Sequence, residues 1–203
     1  MRVALGLAAA ILLVSPASAE TRALSGFESV SASGRVEVEI VIGSHYAVDL
    51  TGPRVDQVIT RVVAGRLEIE TRRQNGPRRG RDAHVRITMP NLRALDISAG
   101  ADVRARAIAA GAFAIDASSG ALADITGSCG ALTIDISSGA NVRAGGFRCA
   151  EVRAEASSGA SAIVHAADAI AVDASSGASV RWDGEARAHH IDLSSGGSAR
   201  RLR

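Results

Sequence analysis

The chain has 203 residues, enough for one domain, and its 23 basic and 21 acidic residues leave a formal net charge of +2. This balance excludes the strongly basic surface that general nucleic-acid binding requires. All of the basic residues are arginines, which also excludes chemistry that needs a lysine base or a lysine Schiff base.

Residues 1–19 have the three-part layout of a secretory signal peptide. Arg2 precedes an apolar run from Val3 to Val14, and Ala17-Ser18-Ala19 form a small-residue cleavage signal. The run is shorter than the ~20 residues that a transmembrane helix needs, and an uncleaved anchor is the alternative. We expect a mature chain of residues 20–203 without a transmembrane segment, located in the periplasm, outside the cell or on its surface.

Residues 20–92 contain short segments in which apolar and polar residues alternate, a period typical of strands with one buried face. The segments are RVEVEIVIG, HYAVDLTG, RLEIETRR and HVRITMP, and glycine or proline lies between them. Residues 54–63, RVDQVITRVV, could instead form a short helix. We expect residues 20–92 to be a β-rich part that caps or starts the structure formed by the rest of the chain.

Residues 93–203 repeat a small-residue turn six times, at intervals of 18 to 20 residues. The aligned glycines are Gly100, Gly120, Gly139, Gly159, Gly177 and Gly196. A regular repeat of this length with alternating apolar residues is typical of a solenoid, whereas disordered low-complexity sequence lacks regularly placed Ile and Val. We predict an all-β fold, a parallel β-helix of about 19–20 residues per coil, right-handed as parallel crossovers nearly always are, and continuous with residues 20–92 in one domain.

Two columns of apolar residues are predicted to face the interior of this β-helix. They are Leu95, Ile115, Ile134, Ala154, Val172 and Ile191, and Ile97, Ala117, Ile136, Ala156, Ala174 and Leu193. Cys129 and Cys149 are one coil apart, so stacking would bring their Cα atoms to the ~4.4–6.8 Å that a disulfide requires. We expect them to be bonded in an oxidising compartment.

The order of the motifs resembles a known family. GFESVSASGRVEVEIVIG, VVAGRLEIE and VRITMPNLRALDISAGADV are followed by the Ser-Ser-Gly-Ala coils. Over residues 26–200 this order resembles the GIN domain, known as the head of auto-transporter adhesins. The resemblance implies a secreted right-handed β-helix with no established activity.

One candidate ligand-binding surface is a column that we call the acidic ladder, with one carboxylate at the same position of each coil. Its members are Asp96, Asp116, Asp135, Glu155, Asp173 and Asp192, and a serine follows each of them two residues later. Stacked like charges repel, so the ladder favours a divalent cation such as calcium, or hydrogen bonds to sugar hydroxyls. A plain solvated face is the alternative, and no obligatory cofactor is expected.

Arginines form two further patterns. The segment RRQNGPRRGR contains Arg72, Arg73, Arg78, Arg79 and Arg81, and guanidinium groups bind phosphate and carboxylate bidentately. It is a candidate contact for lipopolysaccharide or another anionic surface, or else a solvated hairpin loop. A partial column of Arg104, Arg143, Arg181 and Arg200, interrupted by Asp124 and Ile163, is expected to neutralise neighbouring acids.

No catalytic constellation is recognisable in the sequence. It lacks a Gly-x-Ser-x-Gly elbow, and its histidines, His45, His84, His165, His189 and His190, show no metal-ligand spacing. His189 falls at an inward position, where a core or end-cap role is expected. No catalytic residue and no metal site are therefore predicted.

The predicted function is a secreted, non-enzymatic, adhesin-like binding module of the bacterial cell envelope. Its expected partner is an anionic glycan, lipopolysaccharide or another envelope component. One alternative is a scaffold or protein-interaction solenoid, including a homo-oligomer joined through a solenoid end. A polysaccharide-acting enzyme is the other.

Overall fold

The computed structural model describes residues 18–72 and 80–202, without the side chains of residues 18, 188 and 189. The predicted signal peptide, apart from its last two residues, lies outside the described part. Across the described ranges, no helix has the length and hydropathy that a membrane crossing requires.

The described part of the chain forms an all-β solenoid of about five turns, which confirms the predicted fold. The strands are β1 (Ser18–Thr21), β2 (Ser29–Ser33), β3 (Val36–Ile42), β4 (Ala47–Gly52), β5 (Val58–Val63), β6 (Arg66–Thr71), β7 (Ala83–Met89), β8 (Ala94–Ser98), β9 (Asp102–Ala117), β10 (Leu122–Ile136), β11 (Asn141–Ala156), β12 (Ser161–Ala174), β13 (Ser179–Asp183), β14 (Arg187–Leu193) and β15 (Ser198–Arg201).

The regular coils stack in chain order. Strands β9, β10, β11 and β12 are parallel neighbours, and β13 and β14 both pair with β12. Alternate residues of these strands are buried, because successive side chains of a strand point to opposite faces. Both predicted apolar columns are 0–4% exposed until the last coil, where Ile191 and Leu193 are 40% and 45% exposed.

The small-residue turns join strands through two consecutive residues with positive φ. Ser138 and Gly139 have φ angles of 50° and 73°, and the amide of Ala140 donates to the carbonyl of Ser137 at 3.0 Å. Two positive φ angles and this hydrogen bond are the pattern of a type I′ turn, which favours glycine at its second central position. The repeated glycine therefore meets a backbone requirement of the turn.

The N-terminal strands stack out of chain order. Strand β2 lies between β6 and β8, and β3 lies between β7 and β9, with all of these pairs parallel. The first coil of the chain, residues 29–42, is thus placed between the coils of residues 66–89 and 94–117. The N-terminal part therefore starts the solenoid.

Antiparallel strands close the N-terminal end, so this part of the chain also caps the solenoid. Strand β4 pairs with β7, β1 pairs with β4, and β5 pairs with β6. The helix considered for residues 54–63 is wrong beyond one 3-10 turn, Val55–Gln57, because the following β-branched residues form β5. In β5, Thr60 and Val62 pair with Ile69 and Leu67 of β6.

The predicted disulfide is confirmed. Cys129 of β10 and Cys149 of β11 are register partners, and their Cα atoms are 4.5 Å apart. The bond links two adjacent coils near the middle of the stack.

Candidate functional site

The acidic ladder forms a single column along one sheet of the solenoid. Neighbouring members are direct register partners, from Asp96 with Asp116 to Asp173 with Asp192. Each carboxylate stands between two inward-facing residues of its strand, so the period of two directs it to the outer face. Adjacent strands are about 4.7–4.9 Å apart, which makes the ladder a closely spaced row of negative charge.

A shallow groove of about 370 Å³ follows the C-terminal half of the acidic ladder. Its polar lining consists of Asp135, Glu155, Asp173 and Asp192 together with Ser157, Ser175 and Ser194. Carboxylate and hydroxyl oxygens are ligands that calcium prefers, and they also accept hydrogen bonds from sugar hydroxyls. The groove therefore offers an oxygen-rich surface that is open to solvent.

The carboxylates of the ladder repel one another. Partial burial and the charges of Asp116 and Glu155 raise the pKa of Asp135 above its ordinary value. Within residues 18–72 and 80–202, no basic side chain forms an ion pair with Asp116 or Asp135. Negative charge in the middle of the ladder is thus not compensated by an ion pair.

Two arginines compensate other members of the ladder. Arg66 lies 3.6 Å from the carboxylate of Asp96. Arg153 lies 2.9 Å from Glu155 and 3.4 Å from Asp173, so it bridges two adjacent coils. These side chains are exposed, and such pairs contribute little to stability in water.

His190 joins the ladder at its C-terminal end. Its Nε2 atom lies 3.3 Å from the carboxylate of Asp173, and one ligand atom each of Asp173, His190 and Asp192 lie within 4.8 Å of one another. Carboxylates and imidazole together can hold a divalent transition metal. The spacing of the histidines alone does not reveal this group; the alternation of His190 and Asp192 on one strand was the available signal.

A register shift in β14 directly precedes this histidine. Ala188 pairs with Ile170 and His190 pairs with Ala171, so His189 has no register partner in β12. The sequence predicts an inward side chain for His189, and this side chain lies outside the described part. Such a shift leaves one extra, unpaired residue on the shifted strand.

A second outward column, on the sheet that contains β3 and β7, alternates in sign. In spatial order it reads Asp49, Arg86, Glu39, Arg104, Asp124 and Arg143. Arg104 donates to Glu37 and lies 3.4 Å from Asp102, and these acids raise the pKa of Arg104. Of the arginine column predicted from the sequence, Arg104 thus neutralises neighbouring acids, whereas Arg181 and Arg200 are register partners of each other. The acidic ladder differs from the alternating column in having like charges side by side.

The arginine-rich segment is described only at its two ends. Arg72 is exposed, whereas Arg81 donates to the carbonyl of Gly100 at 2.6 Å and lies 3.3 Å from Asp102. Arg73, Arg78 and Arg79 lie outside the described residues. The guanidinium group of Arg81 is therefore engaged by residues of the same chain. A role of the other four arginines of the segment in ligand binding stays a prediction.

A cavity of about 790 Å³ lies near the C-terminal end and not at the ladder. His165 and Asp183 line it, with the imidazole Nδ1 atom 2.7 Å from the carboxylate. The two residues are register partners in β12 and β13. Their separation of one coil is the sequence signal that could have revealed this pair.

The fold and the ladder define a β-solenoid that presents a long, regular polar surface, the kind of surface through which repeat proteins bind. The chain belongs to the family described as "putative auto-transporter adhesin, head GIN domain", whose profile matches residues 26–186. The family resemblance seen in the sequence is confirmed.

Solved structures share this fold. A putative adhesin from Bacteroides fragilis NCTC 9343 has a TM-score of 0.73 at 16% identity, with 92% of this chain and 96% of that chain covered. A putative adhesin from Parabacteroides merdae ATCC 43184 has a TM-score of 0.52 at 13% identity, with 94% and 98% covered. A putative lipid binding protein from Parabacteroides distasonis ATCC 8503 has a TM-score of 0.51 at 10% identity, with 94% and 98% covered. A search of curated proteins found no match.

Proposed function

We propose that this protein is a secreted, non-enzymatic binding module of the bacterial cell envelope and that the acidic ladder is its ligand-contacting surface. The proposed ligand is an anionic glycan, such as the phosphorylated saccharide of lipopolysaccharide, held through a bridging divalent cation such as calcium. The family and the fold, which are those of an adhesin-like module, support the general class.

One observation carries the choice of surface: like charges are adjacent in the ladder, whereas opposite charges alternate in the column through Arg104 and Asp124. If a solenoid face served only solubility, alternating charges would make the fold more stable, since opposite charges across a strand pair stabilise the sheet and like charges destabilise it. The unrelieved repulsion at Asp135 therefore favours a surface that a cation completes.

Calcium suits this geometry because it takes six to eight oxygen ligands in flexible arrangements. The carboxylates of Asp135, Glu155 and Asp173 line the groove together with serine hydroxyls, and the groove is open to solvent. A phosphate or uronate group could occupy the remaining ligand positions. The cation would thereby join two partners that otherwise repel each other.

The non-enzymatic part of the proposal rests on the shape of the surface. The turns beside the ladder have two central residues each, as at Ser138 and Gly139, and are too short to wall a cleft. Hydrolysis of a glycosidic bond requires a substrate held between two carboxyl groups with different roles. The ladder instead places its carboxylates in one row on a single face.

The test is binding of residues 20–203 to an array of bacterial glycans and lipopolysaccharides, in calcium and again with chelator. We expect binding in calcium that chelator abolishes, and loss of that binding in the variant Asp135→Asn/Asp173→Asn. The matched control is Asp124→Asn, which removes an exposed carboxylate from the alternating column and should bind normally. Binding in chelator that disappears at high salt and in Arg78→Ala/Arg79→Ala would assign the ligand to the arginine-rich segment instead. No binding in any condition would reject the glycan proposal.

A second candidate, a scaffold that binds protein, is favoured by the open C-terminal end of the solenoid. Ile191 and Leu193 belong to columns that are buried in every other coil, yet they are 40% and 45% exposed. Glycan binding by a strictly monomeric protein would argue against this candidate.

A further inference from the structure

The two ends of the solenoid differ. At the N-terminal end, antiparallel strands cover the core, and Val58 of β5 is 3% exposed. At the C-terminal end, β14 carries Ile191 and Leu193 with large exposed fractions, although both occupy inward positions of the repeat. Covering such apolar side chains with another structural element is favourable, because it removes apolar surface from water.

The outer edge of β14 also has free backbone groups. Its inner edge pairs with β12, and in the described part of the chain no strand pairs with its outer edge. An unpaired edge beside exposed apolar side chains is a template for adding a strand from another chain.

We infer that β14 pairs antiparallel with β14 of a second copy of this chain, about a two-fold axis at Ile191. A two-fold interface uses the same surface on both subunits, so the strand must be complementary to itself. This inference stands on the end of the solenoid alone; only its consequence for ligand binding rests on the proposed function.

The register about Ile191 makes the strand self-complementary. In an antiparallel pair, residues directly opposite each other point to the same face. Ile191 would contact Ile191 of the partner subunit on the inner face. His190 would lie opposite Asp192 of the partner subunit on the outer face, and the symmetry repeats this pair. A register shifted by one residue at the centre would instead place Asp192 against its own copy, which like-charge repulsion disfavours.

The dimer would extend the ladder surface across the junction. Asp192 ends the acidic ladder of one subunit, and an imidazole of the other subunit would follow it in the same sheet face. Two ladders would then face the same side of one continuous sheet. A polymeric glycan that contacts both would bind more tightly than to either alone, because the second contact is intramolecular.

Sedimentation of residues 20–203 over a range of protein concentrations tests the inference. We expect a reversible shift from monomer to dimer mass. Leu193→Arg should weaken the dimer roughly tenfold or more, because it places a charge in an apolar junction. Val63→Arg is the matched control, since Val63 is 47% exposed on edge strand β5 at the opposite end. It should leave the dimer unchanged.

Weakening by both variants would indicate head-to-tail contact and reject the two-fold junction. A monomer mass at every protein concentration would also reject it.

A single cysteine tests the register. Residues opposite each other in an antiparallel pair have Cα atoms about 4.5–5.5 Å apart, within disulfide range. Ile191→Cys should therefore cross-link to itself under mild oxidation, whereas Leu193→Cys should not. Thermal unfolding like that of the unmodified chain establishes that each variant is folded. Cross-linking of both cysteines equally, or of neither, would reject this register.

Glycan binding measured on Leu193→Arg separates the two proposals. If this variant is monomeric and still binds glycan as tightly as the unmodified chain, the ladder is supported as the binding surface and the contribution of the dimer to affinity is rejected.

Discussion

Asp116 and Asp135 are direct register partners in the adjacent parallel strands β9 and β10, and both side chains are exposed on the same face. Glu155 continues the row in β11. Partial burial and these two neighbours raise the pKa of Asp135. The fold therefore retains an electrostatic repulsion that a neutral residue at this position would relieve.

Asp135→Asn should stabilise the protein at neutral pH. A carboxyl whose pKa is raised by folding contributes stability below its ordinary pKa of 3.8 and loses that contribution as pH rises through the folded value. The variant should thus have a free energy of unfolding higher by roughly 0.5–1 kcal/mol at pH 7, and equal to that of the unmodified chain at pH 3. Urea unfolding at the two pH values measures the difference.

The control for this prediction is Asp124→Asn. Asp124 lies between Arg104 and Arg143 in register, so its loss removes attraction and should not stabilise the protein. Equal effects of the two variants at neutral pH would show that repulsion in the ladder is not the cause. Added salt should reduce the gain of Asp135→Asn, because exposed charges are screened.

Two glycine substitutions should separate backbone strain from steric overlap. Gly139→Ala adds a Cβ that meets no atom within 4 Å, so only its positive φ of 73° is costly, about 1–2 kcal/mol. Gly127→Ala, at a φ of 139°, adds to such strain a Cβ that overlaps the carbonyl of Ile108, and should cost roughly 3 kcal/mol or more. Denaturant midpoints of the two variants, compared at equal slope, give the order. A smaller loss for Gly127→Ala would contradict the close approach of β9 and β10.

Removal of the disulfide should destabilise the solenoid. Cys129 and Cys149 close a loop with a sequence separation of 20 residues, for which the chain-entropy model gives about 3 kcal/mol. Cys129→Ala/Cys149→Ala should lose that amount in urea unfolding. Reductant should reduce the stability of the unmodified chain similarly and leave the double variant unchanged; a protein indifferent to both treatments would show that the adjacent coils need no cross-link.

The buried carboxylate of Asp82 should be important for the N-terminal end. Its side chain is 2% exposed and lies 2.7 Å from Arg54, beside the first residues of β7. Asp82→Ala should cost about 2 kcal/mol or more, because a charged hydrogen bond in a buried site is lost. Asp56→Ala, which truncates an exposed aspartate on the neighbouring 3-10 turn, should change the free energy of unfolding by much less. Comparable losses would indicate that burial of Asp82 has little energetic weight.

The regular coils could be predicted from the sequence because local rules determine them. Alternation of apolar and polar residues sets the strand face, and a glycine with positive φ sets each turn, as at Gly139. A constant repeat then aligns equivalent residues, so the pairing of Cys129 with Cys149 and the register of Asp116 with Asp135 follow by counting. Each of these inferences needs only neighbours in the chain or one repeat length.

Only the tertiary structure decided how the irregular parts assemble. The placement of β2 between β6 and β8, and of Glu39 between Arg86 and Arg104, depends on long-range pairing that no repeat length specifies. The absence of a register partner for His189 in β12 depends on a register shift within β14. Both result from the sum of many weak contacts between segments distant in the chain, and no local pattern of residues encodes that sum.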